Sequence, residues 1–207
     1  MKNVNIEKEI EELKLSYFNE TIVSKKKEIK NKINLSFKEL VENAKQFSSI
    51  VSDIVFDFKI NFSEVFHSKG GFDVVIANPP YLGERGNKDI FRKIRDGNLA
   101  KYYSRNMDIF YFFFHLSLDI GGPKAIITFI TTNYYITATG AKNLRKDFKQ
   151  RTIIRNLINF KELKIFESAQ GQHNIITIIQ KGRNSSDKVK TLETKRKSYL
   201  SSEIFQK

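Results

Sequence analysis

Phe72-Asp73-Val74-Val75-Ile76-Ala77-Asn78-Pro79-Pro80-Tyr81 is the stretch on which the fold turns. Val74 to Ile76 is a β-branched run between Gly70-Gly71 and two prolines, which predicts a short buried strand. The prolines end it, because neither can donate a ladder hydrogen bond and Pro80 forces Pro79 into an extended conformation. Asn78 and Tyr81 are thereby held at the carboxyl end of a strand, where ligands bind in open α/β sheets. Taken as four residues alone, Asn-Pro-Pro-Tyr also describes an ordinary turn.

Asn78-Pro79-Pro80-Tyr81 resembles the (Asp/Asn/Ser)-Pro-Pro-(Tyr/Phe/Trp) signature of DNA methyltransferases acting on exocyclic amino groups, in its adenine-N6 form. Extended back through Gly70-Gly71-Phe72-Asp73-Val74-Val75-Ile76-Ala77, it is similar to the form found in fused type IIG restriction–modification enzymes. The resemblance implies methyl transfer from S-adenosylmethionine to adenine N6 in DNA. The lone pair of N6 is delocalised into the ring, so the amine is a poor nucleophile. The Asn78 side-chain oxygen and the Pro79 carbonyl, accepting from the N6 hydrogens, would localise it with no covalent intermediate. Tyr81 would supply a face for a base extruded from the duplex.

Composition narrows the alternatives. The 207 residues suffice for one sizeable core with an appendage. No run of about 20 apolar residues exists and no signal segment opens the chain, which predicts a cytoplasmic protein with no membrane partner. The absence of cysteine excludes disulfides, thiolate metal sites and the cysteine-nucleophile route to carbon-5 methylation of cytosine. The net charge of +13 is uneven: residues 1–70 carry +1 and residues 71–207 carry +12. The excess travels with the Asn-Pro-Pro-Tyr half, as a partner made of phosphates requires.

Upstream, residues 3–49 carry apolar stripes at helical spacing (Ile6, Ile10, Leu13, Tyr17; then Ile29, Ile33, Phe37, Leu40, Ala44, Phe47), predicting a hairpin broken near Asn19 to Ser24. Ile54 to Phe66 alternates apolar and polar residues from Phe56 to Phe62 and reads as a half-exposed strand. Downstream, Leu82 to Asn98 is a polar loop with a short helix around Asp89 to Arg95. Arg85, Lys88, Arg92 and Lys93 in it are candidate phosphate contacts, or equally a solvated charged surface. Asn106 to Ile120 is a buried crossover helix, ended by Gly121-Gly122-Pro123. Lys124 to Thr132 is a strand and Gly140 to Gln150 a basic helix with Leu144 and Phe148 inward. Ile153 to Phe160 and Asn174 to Gln180 are two more strands.

These elements amount to an α/β fold: a partial Rossmann-like class I methyltransferase sheet of about four main strands preceded by a helical hairpin. The expected divisions are 1–52 as scaffold, 53–183 as the later part of a catalytic domain and 184–207 as a basic tail or linker. Within it, the resemblance implies that Asp108 and Phe113 join Asn78 at the donor, while the residues themselves favour a plain core role for Phe113. It implies that Phe166 stacks on the flipped adenine opposite Tyr81. His173 is a lone loop histidine without metal-ligand spacing, so no metal is expected. None of the ten glycines follows an upstream strand and opens a helix, so the Gly-rich donor turn is missing. The expectation is therefore a fragment or one subunit of a split enzyme, inactive by itself, with a second chain carrying the donor-binding and sequence-reading parts. The other class of function open to it is a non-catalytic DNA-binding or assembly subunit.

Overall fold

The computed structural model describes residues 2–45, 58–163, 165–166, 173–183 and 189–194. The chain divides into two compact units, Met1–Ser68 and Lys69–Lys207.

The first unit begins with the expected hairpin, α1 (Lys2–Asn19) and α2 (Val23–Lys45). Ile6 and Ile10 of α1 are buried against Leu40 and Phe37 of α2, so the helices run antiparallel. The break is made by Glu20, whose carboxylate accepts from Thr21 N at 2.9 Å and Ile22 N at 2.8 Å and so ends the helical hydrogen-bonding pattern. The alternation does not produce a strand over 58–62. Residues 58–61 and 63–69 are the short helices α3 (Phe58–Asn61) and α4 (Ser63–Lys69). Phe58 and Phe62 fit helical i, i+4 spacing as well as strand spacing, and their rings stack with centroids 6.4 Å apart. Positions 54–57 of that expected strand lie outside the described residues. Lys14 links these helices to the hairpin through Asn61 O and through Glu64 Oε2 at 2.9 Å.

The second unit is a mixed sheet with helical crossovers. In chain order it comprises β1 (Phe72–Ala77), α5 (Lys88–Arg95), α6 (Ile109–Ile120), β2 (Gly121–Thr132), α7 (Lys142–Arg151), β3 (Thr152–Asn159), β4 (Asn174–Lys181) and β5 (Lys190–Glu193). The sheet order is β1-β2-β4-β3-β5. β1 runs parallel to β2, β4 is antiparallel to β2 and β3, and β5 is parallel to β3. Among the described residues the sheet thus has five strands, against about four main strands expected. β5 comes from the segment read as tail, where four exposed residues give too little apolar pattern to mark a strand. Residues 184–188 and 195–207 of that segment lie outside the described residues.

The core lies between the sheet and the crossovers. Phe110, Phe114 and Leu118 of α6 are fully buried. Phe114 sits 4.5 Å, centroid to centroid, from Phe129 of β2 and 5.0 Å from Phe148 of α7. Three further expectations change here. α6 starts at Ile109, because Asp108 is its N-cap and Asn106 has a positive φ of 60°. Gly121-Gly122-Pro123 lies inside β2, across a register irregularity between Phe72 and Val74 of β1, which absorbs the proline. Val74 and Ile76 are not buried but 55% and 75% exposed, because they point to the open face of the sheet while Val75 and Ala77 point to the core.

A partly buried polar knot ties α6 to α7. His115 Nδ1 lies 2.5 Å from Asp147 Oδ2, and Arg151 bonds both Asp147 and Asp119. The Tyr102 ring stacks on His115 at 4.0 Å while its hydroxyl donates to Asp119 at 2.7 Å. No helix among the described residues is long and apolar enough to cross a membrane.

Candidate functional site

β1 stops at Ala77, leaving Asn78 exposed, Pro79 buried, Pro80 exposed and Tyr81 half-buried. The pairings Ala77 with Phe129, Thr132 with Asn174 and Asn159 with Ile175 place the carboxyl ends of β1, β2 and β3 at one end of the sheet, with the start of β4. Asn78 stands at that end. Phe166, half-buried in the bend between β3 and β4, belongs to the same end.

Tyr81 is anchored rather than free. Its hydroxyl donates to Asn78 Oδ1 at 2.9 Å and lies 3.1 Å from the Ile130 carbonyl, so one proton serves two acceptors. Its ring meets Phe110 edge-on, centroids 6.1 Å apart. Burial pushes the Tyr81 phenol above its ordinary value, the Asn174 side chain opposes that rise, and Asp108 adds to it. Asn174 is 1% exposed, yet neither its Oδ1 nor its Nδ2 has a partner at hydrogen-bonding geometry among the described residues. Leaving such a group unmet costs about 1–3 kcal/mol. Sequence reasoning missed it, since a polar residue opening a strand looks like an ordinary terminus. Its burial arises from the Thr132 register and from Tyr81, both remote in sequence.

The other expected residues divide. Asp108 stands at the start of α6, where its side chain accepts from Phe110 N at 3.3 Å, and burial raises its pKa. Phe113 is half-buried and packs against the main core, which favours its structural reading. Of these residues Asn78 is exposed, and Asp108 is engaged at the start of its helix. Arg85, Lys88 and Arg92 line a groove of about 520 Å³ beside the site, whereas Lys93 is exposed on α5 outside that lining. Arg95, Arg105 and Tyr103 line it too, and sequence reasoning singled out none of them. Among the described residues no group of three or more His, Cys, Asp or Glu could hold a metal ion. His173 contributes its carbonyl, which accepts from Asn133 N at 2.8 Å.

Residues 3–166 match the family model of the Eco57I restriction-modification methylase. The type II restriction enzyme and methyltransferase RM.Eco57I of Escherichia coli is 26% identical over 99 residues, which are 47% of this chain and 10% of that protein. Among solved structures, the chain is similar to a class I S-adenosylmethionine-dependent methyltransferase, so far only putative, from Listeria monocytogenes. That match has 16% identity, covers 59% of this chain and 36% of that one, and has a TM-score of 0.41. The type IIG restriction endonuclease BpuSI matches at 20% identity, with coverage of 59% and 15% and a TM-score of 0.44. A nuclease-deletion mutant of the type ISP enzyme LlaGI, in complex with a DNA substrate mimic, matches at 20% identity, with coverage of 78% and 19% and a TM-score of 0.43. This chain thus spans a minor part of each of these relatives. With its family model matched over most of its length, the chain belongs to the Eco57I restriction-modification methylase family.

Proposed function

We propose that this chain forms the acceptor-side part of a site-specific DNA adenine-N6 methyltransferase. The observation that carries the reading is Asn78 with its amide exposed at the carboxyl end of β1, held by the Tyr81 hydroxyl at 2.9 Å, in a chain of this family. S-adenosylmethionine, when bound, supplies an electrophilic methyl group. Asn78 and the Asp108 start of α6 would form one wall of its site, with Phe113 behind them in the core. The Gly-rich turn for the opposite wall is absent from this sequence, so a second polypeptide or segment provides it, and the chain alone does not turn over.

This chain's own residues handle the base. Asn78 Oδ1 and the Pro79 carbonyl accept from the two N6 hydrogens, which localises the nitrogen lone pair. Tyr81 and Phe166 hold the extruded adenine by stacking. Arg85, Lys88, Arg92 and Lys93 contact the DNA backbone. For Asn78 to serve the amine fully, the Tyr81 proton has to leave its Oδ1. The Ile130 carbonyl, 3.1 Å from the same hydroxyl, takes it, so Asn78 is released while the hydroxyl keeps an acceptor.

In the reconstituted enzyme, Asn78→Ala lowers methyl transfer by ~10²-fold or more. DNA affinity stays within a few-fold. Near-normal turnover in that variant would remove the assigned role. A non-catalytic assembly subunit is the second reading, favoured by the uncovered residues Val74 and Ile76 on a strand with one neighbour. Full turnover of the enzyme carrying Asn78→Ala, with assembly intact, would select it.

A further inference from the structure

The groove next to the Asn-Pro-Pro-Tyr segment is built from two loops zipped together. Ile109 N donates to Leu82 O at 2.9 Å, Gly83 bridges to Asp108, and Glu84 N donates to Met107 O at 2.9 Å. Glu84 locks the far side, its carboxylate accepting from Tyr103 Oη at 2.5 Å and Asn106 N at 2.7 Å. Gly140 backs this loop so closely that a Cβ there would lie 1.9 Å from Asn106 O. The groove is therefore set by backbone geometry before any ligand arrives.

Its charge is positive in balance, with Arg85, Lys88, Arg92, Arg95 and Arg105 against Glu84 and Asp89. Glu84 keeps its charge, since Tyr103 and the Asn106 N–H are neutral donors, and Asp89 pairs with Arg92 at 3.0 Å. Arg95 lies over the Tyr103 ring, its guanidinium carbon 5.7 Å from the centroid, which fixes its direction without neutralising it. Arg85, Lys88 and Arg105 are exposed, with no salt-bridge partner among the described residues. A volume of about 520 Å³ exceeds what a single ion needs and falls within the ~300–1,000 Å³ range of ligand sites. Several unneutralised cations spread along a preformed groove match a polymer of phosphates better than an isolated one.

We infer that this groove is a phosphate clamp for the DNA strand flanking the target nucleotide, with Arg95 and Arg105 as principal contacts beside Arg85 and Lys88. This rests on the proposed action on DNA. The clamp fixes where the backbone lies relative to Asn78, and it carries no sequence information. It predicts that the positive charge used in binding is concentrated here and not on the basic outer surface of α7.

The test is fluorescence anisotropy of a labelled DNA duplex with the full chain, titrated with salt. Arg85→Gln with Arg105→Gln, both at exposed positions, reduces the log–log salt slope by about 0.9 per contact, so by about 1.8 for the pair. Arg95→Gln, measured separately, removes about 0.9 more. Lys142→Gln with Lys146→Gln on α7 leaves the slope unchanged. An unaltered slope in the groove variants, or an equal fall in the α7 variant, overturns the clamp in favour of diffuse charge. Competition by inorganic pyrophosphate as effective as unlabelled duplex would overturn it in favour of a small-anion site. The result is independent of catalysis: the clamp can stand while Asn78→Ala retains full turnover, and it can fail while that variant is inactive.

Discussion

Strand β1 and helix α6 lie on the same crossover and are both rich in apolar residues, yet their surroundings are opposite. Phe110, Phe114 and Leu118 of α6 are 0% exposed, whereas Val74 and Ile76 of β1 are 55% and 75% exposed. The difference comes from later chain. β2 and α7 close over α6, while Val74 and Ile76 lie on the face of the sheet away from that layer, with Val75 and Ala77 turned toward it. Hydrophobicity marks what can be buried, and topology decides what is. The stability of this unit comes from the α6–β2–α7 layer, and its reactive segment is mounted on the strand that layer covers least.

Truncation at the two places separates them most sharply. Phe114→Ala removes a ring packed against Phe129 and Phe148 and costs about 3–5 kcal/mol. Ile76→Ser, on an exposed surface, changes stability by about 0.5 kcal/mol or less. Urea unfolding followed by circular dichroism reads both. Comparable losses would break the contrast and show that the outer surface of β1 is covered in solution.

A smaller effect concerns acid. Burial pushes Asp147 up, but the hydrogen bonds from His115 and Arg151 outweigh it and hold its carboxyl down to about 2. Asp119 is shifted the same way: its burial is overcome by Tyr102 and Arg151. A folded value below the unfolded one means the stabilisation is complete above the ordinary carboxylate range. It is lost as pH falls from about 4 through about 2. For Asp147 the loss is on the order of 2 kcal/mol. Asp147→Asn should flatten the acid limb of the unfolding free energy. If the limb keeps its slope in that variant, the knot between α6 and α7 is not what acid releases.

The same contrast explains what could be read in advance. α6, α7 and the strands β2 to β4 were legible because long apolar patterns end at Gly, Pro or polar breaks. The Asn-Pro-Pro-Tyr segment was legible because two prolines leave the chain few options. The segment from Phe58 to Lys69 misled because Phe58 and Phe62 satisfy both strand and helix spacing in so short a window. β5 was missed because an exposed four-residue strand owes its existence to the free side of β3. The open state of Val74 and Ile76 depends on whether a layer covers their face of the sheet, and a strand's own residues do not encode that. Arg95 and Arg105 were overlooked for a related reason, since the groove exists only after Glu84 ties Tyr103 to Asn106.

Asn174 supplies the finest test, because it joins the two regions: it opens β4 in the buried layer and its amide influences Tyr81 at the exposed segment. Burial raises the Tyr81 phenol and Asn174 opposes that rise, so Asn174→Leu should push it further up. Carbon-13 NMR of the labelled phenol carbons follows each tyrosine of the chain separately, with Tyr81→Phe identifying the signal. An unmoved Tyr81 titration would mean the amide does not reach the hydroxyl. In the reconstituted enzyme Tyr81→Phe removes the proton that competes for Asn78 Oδ1 and keeps the stacking ring, so turnover holds. A large loss of kcat in that variant would show that the hydroxyl itself is needed to position Asn78.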